Sequence, residues 1–226
     1  MTDPVFKNKV AIVTGAGQGI GLEICRRLAA EGARVILNDV QESLAGEAAG
    51  KISSTKGSVI AMPGDVSDPD FIQALVDGAV THFGRLDIAI ANAGITLFGN
   101  FFDYAPDDFY QVLRVNLGGS FFLAQASARQ MKEQGKGGKI LFMSSVTGYQ
   151  AHKDLAAYSM TKAGIQMLAK NLVIELSQFG INVNAIAPGA TLTERTLSDE
   201  GYEQTWQRLT PMGRPSTVGD VANAAL

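Results

Sequence analysis

The feature that most restricts this chain is an alternation of two periods. Short apolar runs at 10–13, 34–37, 58–62, 88–91, 139–143 and 181–187 are separated by longer amphipathic stretches, among them 19–30, 68–83, 106–134 and 157–179. Runs that are apolar on both faces and alternate with helix-period stretches predict parallel strands covered by helices on both sides. Right-handed crossovers then make a doubly wound α/β sheet. Ligands of such sheets lie beyond the carboxyl ends of the strands, so the informative residues should follow each run. A length of 226 residues suits one domain spanning 1–226, because no Ser/Pro-rich linker or charge run divides the chain. One stretch, 189–215, has no clean period and carries two prolines. It reads as a substrate lid with a short helix around 203–209, since structureless connections of that length are usually functional.

Composition excludes several classes. Hydrophobic residues make up 46% of the chain, too many for disorder. The net charge of −3 comes from scattered residues, which argues against a nucleic-acid partner. No apolar run approaches the ~20 residues of a membrane span. The polar segment 1–9 has no signal-peptide core. Cys25, the only cysteine, cannot form an internal disulfide and sits among helix-period apolar residues, so it reads as core packing in a cytoplasmic protein. No metal is expected.

The first run leads into Thr14-Gly15-Ala16-Gly17-Gln18-Gly19-Ile20-Gly21. Glycines there allow a tight turn and a close approach to a pyrophosphate, which the next helix N-terminus favours. The spacing is T-G-x-x-x-G-x-G and not G-x-G-x-x-G, because Ile20 and Leu22 stand where the last glycine would fall. The second run ends at Asp39. A carboxylate about 20 residues beyond such glycines can accept both ribose hydroxyls of NAD and would repel the 2′-phosphate of NADP. Neither Gln18 nor Val40 offers a base for that phosphate. NAD is therefore expected over NADP, although Asp39 could equally cap a loop. The third run ends at Asp65 and Val66, which suit an adenine amino group and ring. Asn92 and Gly94 follow the fourth run and could bring backbone to the adenosine ribose. Both pairs also have plain readings, as a helix start and as a turn.

The chemical end carries Tyr158 and Lys162, four residues apart and so on one helix face. A free phenol titrates near ~10 and is a poor base at neutral pH. A neighbouring ammonium favours the phenolate, so Tyr158 could exchange a proton with an alcohol or alkoxide. Ser145 follows the fifth run, thirteen residues before Tyr158, and could hold the substrate oxygen against the phenol. Ser144 reads as a supporting neighbour. Asn116 lies in the apolar part of the 106–134 stretch and needs a partner. It could hold a water in a proton relay to Lys162 or be a satisfied core amide. Thr96, Leu97, Val146, Gln150, His152, Leu155 and positions 192–197 are the expected substrate lining.

From Lys7 to its end the chain resembles the short-chain dehydrogenase/reductase family. The combination that carries the likeness is Thr-Gly-x-x-x-Gly-x-Gly, Asn-Ala-Gly, Asn116, Ser145, Tyr158-x-x-x-Lys162 and Pro188-Gly189. The resemblance implies a single Rossmann domain with strand order 3-2-1-4-5-6 and a catalytic tetrad of Asn116, Ser145, Tyr158 and Lys162. It implies a cofactor site formed by Gly15, Gln18, Gly19, Ile20, Gly21, Asp39, Asp65, Val66, Asn92, Gly94, Tyr158, Lys162, Pro188, Gly189 and Thr193. Lys162 would hold the nicotinamide ribose, and Pro188, Gly189 and Thr193 the nicotinamide and its carboxamide. A homotetramer or dimer is also implied. Family members continue past a helix at 220–226 into a seventh strand, whereas this chain stops at Leu226. The expectation is a piece of a longer protein whose sheet lacks that strand and exposes an edge.

Three functions compete. The first is hydride transfer between NAD(H) and a secondary alcohol or ketone, sugars included. The second is reduction of a 3-oxoacyl carrier-protein substrate, suggested by Arg129 but opposed by Phe179 at the second basic position and by Asp39. The third is a non-catalytic nucleotide sensor, which has no need of Tyr158 or Ser145.

Overall fold

A computed structural model describes residues 4–52 and 58–226; positions 1–3 of the polar N-terminal segment lie outside the described residues. Strands β1 (Val10–Val13), β2 (Arg34–Leu37), β3 (Ser58–Ala61), β4 (Ile88–Ala91), β5 (Gly138–Met143) and β6 (Ile181–Ile186) form one sheet in the order β3-β2-β1-β4-β5-β6. All neighbours are parallel, with Ile12 opposite Ile36 and Ala89, and Phe142 opposite Ala185 and Ala91. The expected order and direction are those found. The strand order reverses between β1 and β4, and the crevice above that switch is where a ligand fits.

The period-2 rule sorts the core into two layers. Val10 and Ile12 point to one face, where helices α3 (Pro69–Phe83), α5 (Gly119–Gln134) and α6 (Ala156–Leu176) bring Ile72, Leu75, Leu123, Met131 and Ile165. Ala11 and Val13 point to the other, against Ile24, Cys25 and Leu28 of α1 (Gly19–Ala30), Ala45 and Ala48 of α2 (Glu42–Ile52) and Val221 of α8 (Val218–Ala225). Burial of each large side chain contributes roughly 1.5–3 kcal/mol. Cys25 is fully buried, and burial pushes its thiol far up, which leaves it inert packing. Helix α2 was not among the named periodic stretches, because its buried face is mostly alanine and gives a weak apolar period.

Helix ends follow local chemistry. Asp68 caps α3 by accepting from the Asp70 N–H at 2.9 Å, Pro69 follows, and Gly84 closes the helix in the left-handed region at φ 80°. The 106–134 stretch is not one uniform helix. It runs as α4 (Pro106–Val112), a π-helical turn over Leu113–Gly118 and then α5. Apolar periodicity cannot reveal an i→i+5 turn, which often marks a functional position. The excursion after β6 is less irregular than the sequence suggests. Strand β7 (Thr191–Leu192) pairs with β8 (Ser216–Thr217), closing the segment at its base, and α7 (Tyr202–Leu209) lies within it. Among the described residues no helix is long and apolar enough to cross a membrane.

Candidate active site

The turn after β1 is built by a polar clamp. Thr14 Oγ1 accepts the N–H groups of Asn92 and Ala93 at 3.2 and 3.1 Å. In return, Asn92 Nδ2 donates to the carbonyls of Thr14 and Gly15 at 2.9 and 2.8 Å. Gly15 sits at φ +59°, and a Cβ there would lie 2.7 Å from Ala93 Cα. A Cβ on Gly21 would lie 2.5 Å from the Gly15 carbonyl oxygen. Only glycine fits either place. The backbone at Gly15 and Gly19, at the start of α1, is a cradle that suits a pyrophosphate, with Thr193 and Glu194 standing beside Gly19.

Asp39 caps the loop, as one of its two sequence readings expects. Its carboxylate accepts from Gly17 N–H at 3.0 Å and from Gln41 N–H at 3.1 Å, and it also lines the cavity above the turn. Asp65 accepts from the Ser67 N–H and hydroxyl at 2.8 Å each, so it shapes the turn while Asp68 starts the helix.

Beyond β5, Ser145 accepts from Thr147 N–H at 3.2 Å and from the Thr147 hydroxyl at 3.1 Å. Ser144 turns inward. It donates to the Lys162 carbonyl and accepts from Gln166 Nε2, both at 2.9 Å, and so ties β5 to α6. The phenol of Tyr158 interacts with the Ser145 and Thr96 side chains. Lys162 is buried, donates to the Met143 carbonyl at 2.8 Å and lies 5.4 Å from the centre of the Tyr158 ring. Asn116, on the π turn, accepts from Ile95 N–H at 2.8 Å and donates to the Ile95 carbonyl at 2.9 Å and to Thr161 at 3.2 Å. Its side chain thus pins the backbone just after Gly94.

The electrostatics differ from expectation at one point. The expected lowering of the Tyr158 pKa by Lys162 is not what dominates. Burial raises the phenol, and the opposing influences come from Ser145, Thr96 and the positive charge of Arg195. Burial, with Arg195, in turn lowers Lys162 to about 8. A dry pocket penalises both charged forms, and the amine donates to the Met143 carbonyl, 5.4 Å from the centre of the Tyr158 ring.

A single cavity of about 520 Å³ gathers the strand ends. Of the site residues named from sequence, Gly15, Gln18, Gly19, Ile20, Asp39, Asp65, Val66, Asn92, Gly94, Ser145, Tyr158, Lys162, Pro188, Gly189 and Thr193 all line it. Gly21 and Asn116 stand one layer behind, shaping the turn and the Ile95 backbone. Of the expected substrate lining, Thr96 and Thr193–Thr196 face the cavity, while Leu97, Val146, Gln150, His152 and Leu155 do not. Arg195 falls within the 192–197 stretch expected to line the substrate site but carries no signal of its own there, and Tyr202 lies outside that expectation. Both lie in the aperiodic segment, where pattern carries no information on which side chain turns inward.

The short chain dehydrogenase family profile matches residues 9–201. This chain belongs to that family. It is 35% identical over 229 residues to an L-rhamnose-1-dehydrogenase of Scheffersomyces stipitis, covering 98% of this chain and 89% of that one. It is 39% identical to a versicolorin reductase of Emericella nidulans, over 95% of this chain and 86% of the relative. A short-chain type dehydrogenase/reductase of Mycobacterium marinum superposes with a TM-score of 0.92 at 29% identity, covering 97% and 87% of the two chains. The chain is accordingly an oxidoreductase of a family that works with a nicotinamide cofactor. The glycine cradle, Asp39 and the crevice at the strand switch fit such a cofactor.

Proposed function

We propose that this short-chain dehydrogenase interconverts a secondary alcohol or sugar-type hydroxyl and its carbonyl with NAD(H), Tyr158 being the general acid/base. The observation that carries this reading is one cavity joining the Gly15–Gly19 cradle and Asp39 to Ser145, Tyr158 and Lys162. When bound, the cofactor supplies or takes up the hydride. Tyr158 gives or takes the proton at the substrate oxygen, which the Ser145 and Thr96 hydroxyls orient. Lys162 holds a ribose and moves the proton onward. Asn116 fixes the Ile95 backbone beside it. Thr193, Pro188 and Gly189 flank the nicotinamide, and residues 189–215 act as a lid over the single domain 1–226.

Asp39 supports NAD over NADP. Around it the cavity presents Gln18, Val40 and Gln41, and the basic lining residues, Lys162 and Arg195, belong to the proton-transfer end. A homo-oligomer is supported by exposed Met160, Met167 and Ile174, spaced by seven along α6, beside exposed Phe121 and Phe122 on α5. The lone buried thiol of Cys25 suits a cytoplasmic setting. Fluorescence titration with NADH and NADPH tests the core of the proposal, followed by a carbonyl panel read at the nicotinamide band. NADH should bind more tightly, and Asp39→Ala should narrow that preference by at least about tenfold. Equal affinity for both nucleotides in the wild type would break the cofactor choice.

A further inference from the structure

Five formally charged side chains line the cavity: Asp39, Asp65, Lys162, Glu194 and Arg195. Three have partners: Asp39 in Gly17 and Gln41, Asp65 in Ser67, and Lys162 in Met143. Glu194 faces the pyrophosphate turn, with its Oε2 3.6 Å from where a Cβ on Gly19 would lie. Arg195 is different. Among the described residues its guanidinium has no ion pair and no side-chain hydrogen bond, yet its charge is felt by Tyr158, Lys162 and Tyr202.

The backbone that carries Arg195 is braced, and its exposed side chain stands at the rim of the cavity. Thr196 Oγ1 donates to the carbonyls of Thr191 and Thr193 and accepts the Thr193 N–H at 2.8 Å, just above the β7–β8 pair. A guanidinium stays protonated at any working pH, so it cannot exchange the reaction's proton. What it offers is a fork of donors matched to a carboxylate or a phosphate. Two anions could meet it: the cofactor's pyrophosphate or a charged group on the substrate. Glu194 stands against the turn at Gly19, while the charge of Arg195 is felt at Tyr158 and Lys162, at the proton-transfer end of the cavity.

We infer that Arg195 is a substrate-recognition residue, and that the alcohol or carbonyl substrate carries a carboxylate or phosphate within reach of the Tyr158–Ser145 end of the cavity. This rests on the reaction proposed above. The site would then favour hydroxy and oxo acids, or phosphorylated alcohols, over neutral analogues of the same shape.

The test uses the enzyme–NADH complex and matched probes: pyruvate, acetoacetate and levulinate, each against its methyl ester. Binding is read by stopped flow as the fast initial change in bound-NADH fluorescence, ahead of the slower loss as turnover oxidises NADH, and kcat/KM is measured alongside. At least one acid should bind the wild type about tenfold or more tightly than its ester. Arg195→Ala should abolish that preference without changing ester binding or NADH affinity, and Arg195→Lys should restore part of it. An acid-to-ester ratio near one in the wild type, or an unchanged ratio in Arg195→Ala, would overturn the inference. A loss of NADH affinity in Arg195→Ala with the ratio intact would also overturn it, by assigning the guanidinium to the cofactor. Failure of the wild type to bind NADH would instead overturn the cofactor reading beneath both.

Discussion

The two ends of the central sheet are made of similar residues put to opposite uses. At the amino ends of the strands, polar groups satisfy one another. Asp87 accepts from Val10 N–H at 3.0 Å and from Arg85 Nε at 2.8 Å, with Lys9 at 3.7 Å. The Gln134 amide bonds both the N–H and the carbonyl of Leu86. At the carboxyl ends, glycines replace side chains, and Ser145, Tyr158 and Arg195 face a cavity. The Asp87 cluster closes an edge of the fold. The opposite rim leaves donors and acceptors pointing at space a ligand can fill. A carboxylate or a serine therefore has no fixed meaning in such a sheet. Which end it follows decides whether it holds the fold or the ligand.

The sharpest way to test that contrast is Tyr158→Phe. Turnover should fall by about 10²–10⁴-fold while NADH affinity and thermal stability stay near wild type. Near-normal turnover would remove Tyr158 from the chemistry. Asp87→Ala should do the reverse. Leaving the Val10 N–H and the Arg85 guanidinium without their acceptor should cost about 2 kcal/mol in denaturant unfolding, with kcat/KM unchanged well below the melting temperature. A matching loss of activity would show that the two ends are coupled.

Lys162 gives the smallest effect and the finest test. Its folded pKa, about 8, lies below the ordinary lysine value of 10.5. Between these values the unfolded chain binds more protons, so stability rises with pH through that window, and the cost of the buried charge is fully present below it. Lys162→Met keeps the packing volume and removes that cost. Its melting temperature relative to wild type should be most favourable near pH 7 and should lose a few degrees of that advantage as pH rises toward 10. A difference independent of pH would mean that the folded amine titrates like an ordinary lysine and that its burial carries no such cost.

Much of this was legible in the chain. Runs apolar on both faces can only be parallel strands between helices, so the architecture followed from periodicity, and strand-end positions such as Gly15, Asp39, Ser145 and Pro188 followed from the architecture. Less was legible where the signal is not periodic. Helix α2 hides in alanines. The π turn at Asn116 leaves the apolar pattern intact. The 189–215 stretch gave no hint that β7 and β8 close its base.

Local sequence determined which segments become strands and helices, because side-chain period and capping act over a few residues. It also determined which residues the parallel topology carries to one rim. Tertiary packing alone decided how those residues divide the work. It set Asn116 against the Ile95 backbone, turned Ser144 inward and Ser145 outward, and drew Lys162 to the Met143 carbonyl near the Tyr158 ring. It also left the Arg195 guanidinium without an ion pair or side-chain hydrogen bond among the described residues, on the cavity that Tyr158 lines. Desolvation and charge act through space, and they depend on which segments meet, not on their spacing along the chain.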